Sequence, residues 1–306
     1  MTIPGSSGDL SADRRYQWAQ GALADRDFEG ARDLFAQALE LAPTWTPALF
    51  GLGLALEGLN RKTEALEAYR GALKGDPADA SGAGLRIAHL SGAAPASAPR
   101  AYVTTLFDQY AAKFDRHLVE KLAYRGPEIL AGAIERAAPD RVFDHLVDLG
   151  CGGGLFAATF RARVGKATGV DLSPAMIAQA RTKNLYDRLA AAELVEFLQG
   201  EPPHSADLAV AADVFVYMGD LAPVFHAVEQ LLRPGGLFAF TTQSGPQHGF
   251  VVGDDSRFAH SEGYLRACAA GAGLEVLELG AATTRRDRGA DVPGWAAVLR
   301  ANQTKP

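Results

Sequence analysis

The chain has 306 residues, 48% of them hydrophobic, and a formal net charge of −6 without a block of like charge. That length suggests about two domains, and the charge argues against a large nucleic-acid footprint. The two cysteines, Cys151 and Cys268, stand far apart without metal-type or redox-type spacing, which points away from a disulfide framework and towards the cytoplasm.

In chain order, the N-terminal residues lack the basic and apolar regions of a signal peptide, and no apolar run is long enough to span a bilayer. Helices are predicted near 11–24, 27–41, 45–58, 61–74 and 79–90. Within them Ala31, Phe35, Ala38 and Pro43 recur as Ala65, Tyr69, Ala72 and Pro77, each pair 34 positions apart. That is the tetratricopeptide period, in which small residues let paired helices approach and aromatics fill the gap. Leu52-Gly53 falls where such helices pack closely, with Trp18-Ala19 as the weaker counterpart. Two repeats are fewer than an independent solenoid needs. The module, residues 1–92, is therefore expected to self-associate, to dock a partner or substrate, or to lean on the rest of the chain. An unrelated alanine-rich bundle is the plainer alternative.

Ser91-Gly-Ala-Ala-Pro-Ala-Ser-Ala-Pro99 is small and proline-punctuated, and 93–100 reads as a linker. A helical region is expected over 101–138. There Phe107, Tyr110, Phe114 and His117 recur at helical spacing, either as a core stripe or as a face turned to a ligand. From 139 to 306 the pattern alternates. Strands are predicted at 144–149, 167–171, 190–193, 207–213, 236–242, 274–283 and 294–300, and helices at 154–163, 174–182, 220–232 and 261–271. The expected fold is α/β: a Rossmann-like, seven-stranded, mostly parallel sheet following an all-α N-terminal module.

The most informative segment is Val147-Asp-Leu-Gly-Cys-Gly-Gly-Gly154, where an apolar strand breaks into glycines before Leu155 opens a helix. Such a turn lets backbone N–H groups approach a ligand. Seventeen residues beyond Gly154 a second apolar strand ends in Asp171, whose carboxylate can accept from ribose hydroxyls. The pattern marks a nucleoside cofactor, and the turn alone fits both NAD enzymes and methyltransferases.

The surrounding residues resemble class I S-adenosylmethionine-dependent methyltransferases. Asp148, Gly150, Gly152 and Gly154 resemble the first motif, and Gly169-Val-Asp-Leu-Ser-Pro-Ala-Met176 the second. Asp207-Leu-Ala-Val-Ala-Ala-Asp213 is similar to the fourth strand, and Leu232-Arg-Pro-Gly-Gly-Leu237 to the turn before the fifth. Leu106-Phe-Asp-Gln-Tyr-Ala-Ala-Lys-Phe-Asp-Arg-His-Leu118, Gly219-Asp-Leu221, Phe258-Ala-His-Ser261 and Pro293-Gly-Trp295 look like the bacterial group of predicted tetratricopeptide-containing methyltransferases. Gln243 departs from the pattern, standing where many relatives carry an acid.

The resemblance implies S-adenosyl-L-methionine as cofactor. It implies that Gly150, Cys151, Gly152 and Gly154 line the methionine part, Asp171 binds the ribose, and Leu172, Met176, Glu193 and Leu194 surround the adenine. Asp213 would hold the cofactor's amino group or offset the sulfonium charge, with Val214, Phe215 and Tyr217 where the acceptor approaches. Tyr110 and Phe114 would close the pocket as a lid. Plainer readings stand beside these: Glu193 and Asp213 as helix N-caps, Phe215 as core, and Cys151 as a small turn residue.

The loop at 243–260 offers His248 and His260 as bases, His260 preferred, with Tyr217 beside it as the second catalytic candidate. Arg285, Arg286 and Arg288 are either an anion site or a solvated face. The implied function is methyl transfer to a small-molecule or carrier-bound acceptor, with neither nucleic acid nor membrane as partner and no metal. A non-catalytic interaction protein that retains cofactor binding is the alternative, and an NAD-type oxidoreductase is a second rival.

Overall fold

The computed structural model describes residues 5–111, 124–287 and 289–302. The chain forms two compact units. One runs through Tyr102 and includes Asp254–Ser256; the other comprises Val103–Gly253 and the chain from Arg257 onward.

The first unit is helical, with helices Leu10–Ala24, Phe28–Leu41, Thr46–Gly58, Lys62–Gly75 and Ala83–Ser91. Asp9 and Asp27 cap the first two through their carboxylates, satisfying amides that have no partner inside the helix. Three of the four pairs spaced by 34 pack: Ala31, Phe35, Ala38, Ala65, Tyr69 and Ala72 are all fully buried, whereas Pro43 and Pro77 are exposed. Close approach explains the intervening glycines. A Cβ at Gly51 would lie 2.3 Å from the Phe35 ring, and one at Gly53 would lie 2.4 Å from that of Tyr69.

The second unit is built on one mixed sheet. Strands β1 (Phe143–Leu149), β2 (Val164–Asp171), β3 (Arg188–Ala191), β4 (Ala206–Ala211) and β5 (Leu232–Ser244) pair in parallel in the order β3-β2-β1-β4-β5. All of β4 and all of β1 except Asp144 are buried, as in strands covered on both faces. The long hairpin β8 (Leu274–Asp287) and β9 (Ala290–Ala301) adds antiparallel to β5 through β9. One face of the sheet buries Phe215, Phe225, Phe238 and Phe240 together; the other packs Leu130, Ile134, Phe143, Phe156 and Phe160.

Among the described residues the sheet has nine strands, not the seven expected. The additional pair, β6 (Phe250–Val252) and β7 (Phe258–His260), forms within the segment read as a loop, and β7 pairs in parallel with the end of β5. Three-residue strands carry too little alternation to show in a sequence. The fourth strand also ends two residues earlier than predicted, leaving Asp213 outside it. No helix among the described residues is long and apolar enough to cross a membrane.

Candidate functional site

Strand β1 lies between β2 and β4, so the connections leaving it diverge, and the crevice at its carboxyl end is where open α/β sheets bind ligands. The glycine turn occupies this place. Gly150, Gly152 and Gly154 all have positive φ, at 65°, 51° and 87°. At Gly150 a Cβ would also lie 2.5 Å from Val214, so backbone shape and space both require glycine. The turn is stitched to β2: Cys151 N–H donates to the Val170 carbonyl at 2.9 Å, and Gly152 N–H donates to Asp171 Oδ2 at 2.9 Å.

Asp171 is the hinge of the site. Its other oxygen accepts from Ser173 N–H at 2.9 Å, which leaves lone pairs on both oxygens for a ligand. Burial pushes its pKa up, and the charge of Asp108 adds to this against the backbone bonds that lower it. Asp148 is buried behind the turn and accepts from Tyr186 Oη at 2.6 Å. Burial raises its pKa to about 7. The Cys151 thiol is buried and its pKa is pushed well above the usual range by burial, so it acts as a small turn residue rather than a nucleophile.

The helix Arg100–Tyr110 is fixed to this edge at two points in the second unit. Asp108 accepts from Ser173 Oγ, and Phe107 meets Tyr217 edge-on with centroids 5.4 Å apart. Tyr110, at the helix end, is 44% exposed; Phe114 and His117 lie outside the described residues.

Several assignments need correction. His260 is fully buried. Its Nε2 faces the Gly219 carbonyl at 3.1 Å, and its Nδ1 faces Thr242 Oγ1 at 2.8 Å. A carbonyl only accepts, so Nε2 carries the proton and Nδ1 takes the threonine hydroxyl, leaving no nitrogen for an acceptor's proton. His260 is a strut between β7, β5 and the loop after Tyr217, not a base. Phe215 is core, in contact with Phe225, Phe238 and Phe240. Met176 is fully buried and Leu194 packs in the same cluster as Phe215. Glu193 caps helix Leu194–Gln199 by accepting from Glu196 N–H at 2.9 Å. Leu172 and Val214 are half-buried beside the turn.

Asp213 is not the free carboxylate expected: both of its oxygens accept from Arg285 Nη1, at 3.1 and 2.9 Å. Arg285 is thereby removed from the solvated face, whereas Arg286 is exposed and pairs with Asp291. Arg288 lies outside the described residues. Sequence reasoning missed Tyr186, which no pattern marks. It also missed Asp108, although the string Leu106–Leu118 and the Ser173-Pro174 helix start both lay in view.

Burial makes a test of His260. Its pKa is lowered from 6.5 to about 4. The unfolded chain therefore binds a proton in that window that the folded chain refuses, and the stability due to neutral His260 is lost as pH falls through it, by roughly 3 kcal/mol in all. Asp148, raised to about 7, acts oppositely, so wild type alone hides the effect. In chemical denaturation, the stability gap between wild type and His260→Asn should narrow from pH 6.5 to 4. A gap independent of pH would refute the assignment.

Residues 147–238 match the methyltransferase-domain family. Over 142 residues the chain is 31% identical to human methyltransferase-like protein 27, covering 45% of this chain and 56% of that protein. It is 32% identical over 115 residues to malonyl-[acyl-carrier protein] O-methyltransferase of Salmonella typhimurium, covering 37% and 44%. The chain thus spans about half the length of the curated relatives it matches. Among solved structures, Burkholderia thailandensis 1,6-didemethyltoxoflavin-N1-methyltransferase, with 1,6-didemethyltoxoflavin and S-adenosylhomocysteine bound, superposes with a TM-score of 0.52 at 19% identity, covering 68% of this chain and 92% of that one. At that identity the likeness concerns the fold.

Proposed function

We propose that the chain is an S-adenosylmethionine-dependent methyltransferase acting on a small-molecule or carrier-bound acceptor. The observation that carries this is Asp171, which ends β2, holds the glycine turn of β1 through Gly152, and keeps acceptor capacity at the switch point of the sheet. The residues fit the cofactor: Gly150, Gly152 and Gly154 hold a left-handed path that a side chain would block or strain, and Asp171 suits a pair of ribose hydroxyls. On this reading Leu172 borders the nucleoside, and Asp213 and Tyr217 border the reacting end.

Bound S-adenosylmethionine supplies an electrophilic methyl on a sulfonium that is already a good leaving group. The chain's own contribution is positioning and exclusion of water, and positioning is worth roughly 7–11 kcal/mol in favourable cases. Asp108 and Phe107 hold the helix that borders the site, with Tyr110 at its end. The closed state of His260 favours acceptors that need no proton removed, such as a carboxylate or a neutral amine. A carrier-bound acceptor accords with the Salmonella relative's name.

The deciding experiment is calorimetric titration with S-adenosylhomocysteine and, separately, NADH. Micromolar binding of the first alone supports the reading; NADH binding alone would replace it with the oxidoreductase.

The helical unit is proposed to be a tetratricopeptide module that docks a partner or a second copy. The 34-residue spacing of its buried residues supports this, as do Leu10 and Trp18, which are 84% and 58% exposed. Leu10→Ser with Trp18→Ser should abolish self-association or acceptor docking, read by light scattering and KM, with S-adenosylhomocysteine affinity unchanged. Unchanged assembly and KM would remove the docking role.

A further inference from the structure

Tyr186 stands in the connection between helix Pro174–Thr182 and β3, outside every motif of the sequence, yet it packs against the glycine turn. Asp187 clips this connection to β2: its N–H donates to the Ala167 carbonyl, and its Oδ2 accepts from Ala167 N–H, both at 2.8 Å. A Cβ at Gly154 would lie 3.1 Å from Tyr186 Cε2, and one at Gly169 on β2 would lie 3.0 Å from Cε1. Both glycines thus leave the room that the tyrosine ring fills.

The hydroxyl end is equally committed. Tyr186 Oη donates to Asp148 Oδ2 at 2.6 Å, and Asp148, next to last in β1, is only 1% exposed. The Cys151 thiol interacts with the same hydroxyl. Burial pushes the phenol and the thiol well above their usual ranges, so both stay protonated near neutral pH and the phenol stays a donor. A hydroxyl that donates to a carboxylate favours its charged form, and a buried carboxylate without such a donor is costly.

We infer that Tyr186 is a positioning residue of the cofactor site: its ring supports the glycine turn at Gly154, and its hydroxyl fixes the Asp148 carboxylate as an oriented anion behind that turn. This deepens the proposed function and rests on it, because the turn is where the cofactor's methionine end, with its cationic amino group, belongs on that reading. The consequence is a pH signature. Burial raises the Asp148 pKa to about 7, the Tyr186 hydroxyl works against that rise, and the charge of Asp171 adds to it. The other titratable groups around Asp148 are Cys151, Tyr186 and Tyr124, all pushed up by burial and so silent in this window. Without the hydroxyl, Asp148 takes up its proton at a higher pH, and its attraction for the ligand's cation is lost there.

The test is the affinity for S-adenosylhomocysteine, which carries the same amino group, measured by calorimetry on the full chain from pH 6 to pH 9. Tyr186→Phe keeps the ring and removes the hydroxyl. It should bind about tenfold more weakly than wild type at pH 6, and the gap should close to within about twofold at pH 9, where Asp148 is ionised in both. In an Asp148→Asn background the same change should alter affinity by one factor at every pH. With 3-fluorotyrosine at position 186 the more acidic phenol donates more strongly, so the wild-type profile should move to lower pH. A tyrosine that only packs would give a gap equal at every pH. That outcome overturns the inference. Should Tyr186→Phe fail to fold, a fluorotyrosine profile superposed on that of wild type overturns it instead. Failure of wild type to bind at any pH overturns the cofactor reading itself, and the inference with it.

Discussion

Asp171→Ala should weaken S-adenosylhomocysteine binding at least about 100-fold. The carboxylate has two tasks: to meet the ligand's hydroxyls, and to hold the turn through Gly152 N–H and the next helix through Ser173 N–H. Hydrogen bonds to a charged group contribute about 1.5–3 kcal/mol each, so losing two acceptor bonds to the ligand reaches that factor. Calorimetric titration of wild type and variant measures it directly. A loss under tenfold would place the ribose elsewhere. The wild-type protein carries a pH signature of the same group. Burial raises the Asp171 pKa, so affinity should decline on acidification at a higher pH than an exposed aspartate would allow. Burial of an ionised carboxylate also opposes folding, and the two backbone bonds work against that cost. Asp171→Ala therefore separates binding from stability: the titration should collapse while the melting temperature moves little.

Gly150→Ala should have the opposite balance, with stability and binding lost together. The residue has φ at 65°, and its Cβ would lie 2.5 Å from Val214 Cγ2. The left-handed conformation costs alanine about 1–2 kcal/mol, and overpacking costs about 1–3 kcal/mol more. Together they predict a fall of roughly 5–15 °C in the melting temperature of the second unit. Displacement of the turn also carries Gly152 N–H away from Asp171, so S-adenosylhomocysteine affinity should drop as well. Near-normal melting and binding would mean that the turn is not the rigid cradle described above. Gly249→Ala is a suitable control. Its φ is also positive, at 66°, but a Cβ there meets nothing within 4 Å, so it carries only the conformational cost.

What the chain itself made legible was local and periodic. The strand–glycine–helix string at 147–155 and the acid ending the second strand follow from backbone rules that act within a few residues. The structure puts the turn and Asp171 together as those rules require. Burial of Ala31, Phe35, Ala38, Ala65, Tyr69 and Ala72 was visible in the same way, because a repeated period fixes which face packs. The strands β6 and β7 were not legible, since three-residue segments gain their identity from the partner they pair with.

The roles of polar residues were decided by tertiary structure alone. His260 and Asp213 both looked open in the sequence. Thr242 and the Gly219 carbonyl close the first, and Arg285, 72 residues away, donates to both oxygens of the second. Whether a polar group binds a ligand depends on which partners burial leaves to it, and those partners come from other strands. Sequence spacing reports the backbone's local geometry; it does not report which distant donor arrives first.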